Sequence, residues 1–267
     1  MNTRDVCKAL NMDETLPERL PELSVEDCGR LRFLLRTAPD AFRQALKEMP
    51  DPEGTSLRFS LMMAAELREQ YAALGISEQI WKDTMSDIRI WSDKLLRDTG
   101  ITGLREMGWL TNHLTLGLFR LGRLQFQPSR LGCEVTVNGR TLPADTPTFE
   151  VHIAEGEPLR HDAVLRSYEQ ARVFFKEPHP VFVCGSWLLS PALKELLREP
   201  SGILDFQRDF TLFEEYPESR QAEERIFGAP LDNPADYPEN TTLQRNAKAW
   251  LLSGKKIPAA RGIILCE

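Results

Sequence analysis

The chain has 267 residues, enough to bury at least one proper core and to divide into two domains. Its net charge of -7 at pH 7 gives no electrostatic reason to expect a nucleic acid or an anionic membrane surface as partner. No apolar run approaches the roughly 20 residues that span a bilayer, and the opening MNTRDVCKAL lacks the apolar core of a signal peptide, so a cytoplasmic location is expected.

Through about the first hundred residues the apolar spacing is helical. Ser24 with Asp27 resembles a capping pair before Leu31, Leu34 and Leu35. Thr55 precedes a helical run from Leu57 to Leu74 that Gly75 should end, and Ser77 caps the next helix, which places Trp81, Ile88, Trp91 and Leu95 on one face. Aromatics at that spacing read as core. Strand character begins near Gly117, with Phe119, Leu121, Leu124 and Phe126 interrupted by a phase slip at Gly122 and Arg123. Asn138-Gly139 is a hairpin signal, so Phe119 to Ile153 is expected to form an antiparallel meander.

The most informative stretch is Phe149 to Ala163. Phe149, Val151 and Ile153 alternate with Glu150, His152 and Ala154, the period of a half-buried strand. Gly156 and Pro158 mark a short loop, and Val164, Tyr168, Ala171 and Phe175 then take helical spacing. Val181 to Cys184 is a short apolar run that suits a second, parallel strand. Polar residues at the carboxyl end of such a strand, facing a helix amino terminus, form a usual site for an anionic ligand. Further on, ILDFQRDFTLF reads as one long strand, with Leu204, Phe206, Phe210 and Leu212 on one face and Arg208 in the same row. A last helix is expected over Thr242 to Leu252, followed by a closing strand, GIILC.

Metal chemistry is not expected. The five cysteines, Cys7, Cys28, Cys133, Cys184 and Cys266, include no C-x-x-C pair, and His113, His152, His161 and His179 form no H-E-x-x-H motif.

The order of elements in the second half resembles the GNAT acyltransferase fold, in which two adjacent strands splay apart and acyl-coenzyme A lies between them. The blocks GRLQF (Gly122 to Phe126), VHIAEG (Val151 to Gly156), FVCGSWLL (Phe182 to Leu189) and FQRDF (Phe206 to Phe210) resemble those of a bacterial acyltransferase family with a helical amino-terminal domain and a GNAT-like carboxyl-terminal domain. The fold that follows is α+β: a helical domain over 1–117, then a GNAT-like mixed sheet flanked by helices over 118–267. Val151 to Ile153 and Val181 to Val183 should then lie parallel and adjacent and diverge at their carboxyl ends. Two features depart from the pattern. GNAT enzymes carry R/Q-x-x-G-x-G/A after the fourth strand, whereas Ala154 to Arg160 here holds one glycine, two carboxylates and Pro158, which offers no amide. In the resembling family a histidine commonly stands where this chain has Gly185.

The resemblance implies transfer of an acyl group from acyl-coenzyme A, as co-substrate, to an amine of a small molecule, peptide or protein. An attacking amine must lose a proton and the leaving thiolate must gain one. His152 and Glu150 share the strand face that borders the acceptor in GNAT enzymes and are the candidate bases, and Ser186 is the candidate donor to the thiolate. Backbone groups of Ile153, Gly156 and Leu159, with Arg160 and His161, are the candidate coenzyme contacts. The acidic loop and Gly185 also fit a second reading, a catalytically inactive GNAT-like binding or regulatory protein. A cysteine hydrolase using Cys184 and His152 is a third, although a cysteine ending an apolar run is usually packing.

Overall fold

Short polar caps cut the first part of the chain into helices. In the computed structural model, which describes residues 2–266, α1 (Thr3–Ala9), α2 (Val25–Thr37), α3 (Pro39–Lys47), α4 (Pro52–Ala73), α5 (Glu78–Thr99) and α6 (Met107–Leu114) precede a short strand, β1 (Phe119–Leu121). Ser24 and Ser77 cap α2 and α5 by accepting from the N–H groups of Asp27 and Ile80, donors that a helix leaves unpaired. α4 begins ahead of the expected Thr55 because Asp51 caps it through the Gly54 N–H and Pro52 occupies its first position. Trp81 is fully buried on α5 and donates its indole N–H to the Ala64 carbonyl of α4 at 3.0 Å. That face is core within the helical part. No helix among the described residues is long and apolar enough to cross a membrane.

The chain divides into two compact units. One holds the chain up to Leu121 together with Ala154–Gly156, and the other holds Gly122–Ile153 and the chain from Glu157 onwards. The second unit runs β2 (Leu124–Arg130), β3 (Val135–Val137), β4 (Arg140–Leu142), β5 (Pro147–Ile153), α7 (His161–Phe175), β6 (Val181–Ser186), α8 (Leu193–Leu196), α9 (Gly202–Arg208), β7 (Thr211–Tyr216), α10 (Gln221–Phe227), α11 (Thr242–Leu252) and β8 (Ala259–Leu265). Its main strands neighbour one another in the order β2-β5-β6-β8-β7. β5 and β6 are parallel, and the other neighbours are antiparallel.

The parallel pair is short. Its register covers Phe149↔Phe182 and Glu150↔Val183. Beyond these rungs β5 stays with β2 through Val151↔Phe126, His152↔Gln125 and Ile153↔Leu124. β6 instead follows β8 through Cys184↔Gly262, Gly185↔Arg261 and Ser186↔Ala260. The two strands therefore run out along different partners and open a fork at their carboxyl ends, as the resemblance implied, but the parallel rungs stand at Phe149 and Glu150, and the expected Val151 to Ile153 already lie on the diverging arm.

α7 covers one face of the sheet. Val164, Tyr168 and Ala171 are buried on its inner side, and the Tyr168 ring lies 5.1 Å from that of Phe182, which is itself 5.4 Å from Phe126. Phe149 stacks on Phe175 at 4.3 Å. The opposite face carries Val183 and Ile263 under Leu131, Val135, Val137 and Leu142. This packing corrects the expected meander. β3 and β4 form their own two-stranded sheet, turned at Asn138 and Gly139 with φ of 51° and 75°, and β2 pairs directly with β5. The hairpin has become a cover for the sheet because both of its valines and Leu142 bury there.

The expected long strand over Ile203 to Phe213 is also corrected. Ser201 caps a helix, α9, by accepting from the Leu204 N–H, and the strand β7 starts only at Thr211. A short apolar run does not by itself distinguish helix from strand. Packing decides: Leu204 joins Leu193, Leu196, Ala247 and Ile257 in a cluster under α8 and α11. Arg208, expected in a buried row, stands exposed in the last turn of α9 and pairs with Asp205 and Glu199, where its charge suits the helix carboxyl end.

Phe182 touches both the α7 aromatics and β2, and it is fully buried. Phe182→Ala is expected to cost about 3–5 kcal/mol of unfolding free energy, read as a lower urea midpoint at unchanged m-value.

Candidate active site

Glu150 sits at the last rung before the fork, so its side chain leaves the strand where β5 and β6 part. Its Oε1 accepts the Gly185 N–H of β6 at 3.2 Å. Arg261 of β8 approaches the other oxygen at 4.0 Å and reaches Glu214 of β7 at 3.8 Å, with its guanidinium 5.3 Å from the Phe213 ring centroid. Burial pushes the Glu150 carboxyl above its ordinary range, and the Arg261 charge and the Gly185 N–H draw it part of the way back. A glutamate raised in this way is a better proton acceptor at neutral pH than an ordinary surface carboxylate.

His152 shares the Glu150 face of β5 but turns towards β2, where its Nε2 lies 3.2 Å from the Gln127 Oε1. Ser186, the last residue of β6, accepts the Leu188 N–H at 3.1 Å and so caps the short 3-10 turn over Trp187–Leu189. Cys184 is fully buried, and burial raises its thiol well above the ordinary range, which leaves a poor nucleophile at neutral pH.

The connection from β5 to α7 is braced from below. Arg123, in the turn just before β2, donates from Nε to the Pro158 carbonyl at 3.1 Å and from Nη2 to the Glu157 carbonyl at 2.6 Å. Ser167 of α7 accepts the Arg123 N–H at 2.8 Å, which ties the helix to the same strand. Arg123 is 6% exposed, so it places a positive charge beneath a loop whose own acids, Glu155 and Glu157, are exposed. Gly156 takes φ 96°, and Ile153 ends β5 opposite Leu124. The Leu159 carbonyl packs against Gly202, where an added Cβ would sit 1.8 Å from that oxygen. Only glycine lets the loop backbone run so close to α9.

Arg160 is exposed and stands at the N-cap of the 15-residue α7; its carbonyl accepts the Ala163 N–H at 3.0 Å, but its side chain caps no first-turn amide. His161 follows, its Nε2 2.9 Å from the Asp209 Oδ1. Burial raises the Asp209 carboxyl, opposed by its bond to His161. Arg160 and His161 thus cluster with Leu159 at the helix end, and Glu150 and Ser186 lie on the two arms of the fork.

The residues that the sequence reading passed over are Arg123, Gly202, Asp209 and Arg261. Arg123 left a signal in the phase slip after Leu121. The others work through partners distant in sequence. Arg123→Met would remove both loop bonds while keeping most of the stem. With hydrogen bonds to charged groups worth about 1.5–3 kcal/mol each, amide exchange over 157–161 is expected to accelerate by roughly tenfold or more, and exchange in the central β6 amides should be unchanged.

Residues 118–264 match the GNAT-like C-terminal domain family and residues 1–116 match the N-acyltransferase N-terminal domain family. The sequence has no match among curated proteins. Among solved structures, a mutant acyltransferase crystallised with octanoyl-CoA is similar in fold, with a TM-score of 0.75 and 24% identity over 99% of this chain and 88% of that one. An acyltransferase in complex with decanoyl-CoA and teicoplanin gives a TM-score of 0.69 and 22% identity over 100% of both chains. The domain matches together span nearly the whole sequence, and the chain belongs to the family of the GNAT-like C-terminal domain, preceded here by an N-acyltransferase N-terminal domain match.

Proposed function

We propose that this protein transfers an acyl group from acyl-coenzyme A to an amine, with the fork between β5 and β6 receiving the thioester. The single observation that carries this reading is the two-rung parallel pair followed by divergence onto β2 and β8. Strand backbone on the inner edges of such a fork offers N–H and C=O groups to a ligand that itself carries amides, as the pantetheine arm does. Val151 and Ile153 supply that edge on β5. The amino end of α7, with the backbone of Gly156 and Leu159 and the side chains of Arg160 and His161, suits the pyrophosphate, because a first turn without a side-chain cap and the helix dipole favour an anion. Arg123 adds positive charge below and compensates for a loop with one glycine and two carboxylates.

In the reaction the amine nitrogen attacks the thioester carbon, the carbon–sulfur bond breaks, and one proton passes from nitrogen to a base while the thiolate takes one up. We assign the base to Glu150, directly or through water, because it stands at the fork with a raised pKa, whereas His152 is turned to Gln127. Ser186 caps Leu188 through its oxygen lone pair, which leaves its own proton for the thiolate. Similar structures bound to octanoyl-CoA, decanoyl-CoA and teicoplanin favour a thioester donor and a small-molecule or peptide acceptor. The setting we propose is cytoplasmic, where free cysteines persist.

Calorimetry with acetyl-CoA and octanoyl-CoA tests the donor: binding is expected, and no heat at millimolar ligand would sink the reading. Glu150→Gln is expected to lower single-turnover acyl transfer to a panel of small amines on the order of 100-fold to 10,000-fold, with thioester affinity retained. A larger loss in His152→Ala would move the base to His152. The rate should fall as pH drops through the Glu150 pKa, because the carboxyl must be ionised to accept a proton, and this acidic limb should lie above the ordinary glutamate range. Arg261→Gln removes a charge that favours the ionised form, so the limb should move to still higher pH.

A further inference from the structure

Gly185 lies in the forked part of β6, exposed, opposite Arg261 in the β8 register. Glycine weakens a strand, and in the middle of one it marks a bulge, a tight bend or a close approach by a ligand or another backbone. Here the pairing of β6 with β8 is continuous from Val181↔Leu265 to Ser186↔Ala260, so no bulge requires it. The backbone is not left-handed at this position. Nor does packing demand it: an added Cβ would meet the Arg261 Cγ at 3.5 Å and the Glu150 Oε1 at 3.6 Å, ordinary contact distances. Gly202 and Gly262 differ, since a Cβ there would sit 1.8 Å from the Leu159 oxygen and 2.8 Å from the Phe210 Cβ. Of the explanations for a strand glycine, close approach by a ligand is the one that this geometry retains.

We propose that Gly185 is a specificity-determining position: its missing side chain keeps open a slot beside the Glu150 carboxylate that admits the amine-bearing end of the acceptor. This rests on the acyl-transfer reading above and names the wall that its acceptor must pass. Two carboxylates, Glu150 and Glu214, flank the one guanidinium of Arg261, so the local charge favours an acceptor that arrives as a cation, an alkylammonium rather than an alcohol. Once the ammonium is beside Glu150, the same carboxylate is placed to take its proton.

The test uses the full chain as wild type, Gly185→Ala and Gly185→Leu. An added methyl meets its neighbours at ordinary contact distance and glycine disfavours strands, so Gly185→Ala is expected to melt at or above the wild-type temperature, and the melting temperature of Gly185→Leu is measured beside it so that loss of fold does not confuse the result. Glu150 is labelled with a water-soluble carbodiimide and glycinamide, a slender cationic amine, and the adduct is measured by peptide mass spectrometry. Wild type should label at Glu150, Ala less, and Leu at least about tenfold less, a rate effect on the scale of a steric clash of ordinary size. Octanoyl-CoA affinity should be equal in all three. A series flat in labelling overturns the proposal alone. A series in which octanoyl-CoA affinity falls with side-chain size also overturns it, because the space then belongs to the coenzyme arm. Absence of thioester binding in the wild type sinks the acyl-transfer reading and this proposal with it.

Discussion

Two rungs of parallel pairing hold the second unit in its forked form. β5 and β6 meet only at Phe149↔Phe182 and Glu150↔Val183, and each then obeys a stronger antiparallel obligation, β5 to β2 and β6 to β8. A longer parallel ladder would close the fork and consume the backbone groups on its inner edges. A shorter one would leave nothing to fix the distance between the arms. The aromatic stack of Phe126, Phe182 and Tyr168 sits on the face where the arms are still joined and makes separation there costly, while the ends remain free to part. Burial of Glu150 at this junction follows directly, and with it the raised carboxyl that acyl transfer can use.

The pyrophosphate site we propose at the connection between β5 and α7 is built from an unusual set of parts. Glycine-rich loops present bare amides to phosphate because nothing obstructs the backbone. This chain has only Gly156 between Ala154 and Arg160, and the freedom is supplied from elsewhere. Gly202, at the first turn of α9, lets the Leu159 carbonyl pass where any side chain would collide. Arg123 takes the Glu157 and Pro158 carbonyls, turning loop acceptors inward and bringing positive charge under them. The departure in the loop sequence is thus matched by residues outside the loop.

Arg261 links the electrostatics of three strands. It lies opposite Gly185, approaches Glu150 and Glu214, and donates to the Leu131 carbonyl at 3.2 Å. A guanidinium between two carboxylates is held in place more firmly than one with a single partner, and its planar fork keeps that geometry at little entropic cost. Such an arrangement lets β7 and β8, which contribute no backbone to the fork, set the charge of the side chain that stands in it.

Local signals settled the elements that local physics governs. The alternation of Phe149, Val151 and Ile153, the helical spacing of Val164, Tyr168 and Ala171, the Ser24 and Ser77 caps and the Asn138-Gly139 turn were legible because each depends on residues a few positions apart. The sequence also placed Glu150 and His152 on one strand face and named the helix end after Leu159. Tertiary structure decided the rest. Whether Gly202 to Arg208 was helix or strand turned on the cluster around Leu204, and whether the β3–β4 hairpin extended the sheet or covered it turned on Val183 and Ile263 beneath it. The turn of Glu150 towards Gly185 and of His152 towards Gln127, and the partners Arg123, Asp209, Gly202 and Arg261, rest on contacts between segments far apart in the chain. Periodicity encodes which face of an element is buried, but not what it is buried against, and the candidate site is made almost wholly of the latter.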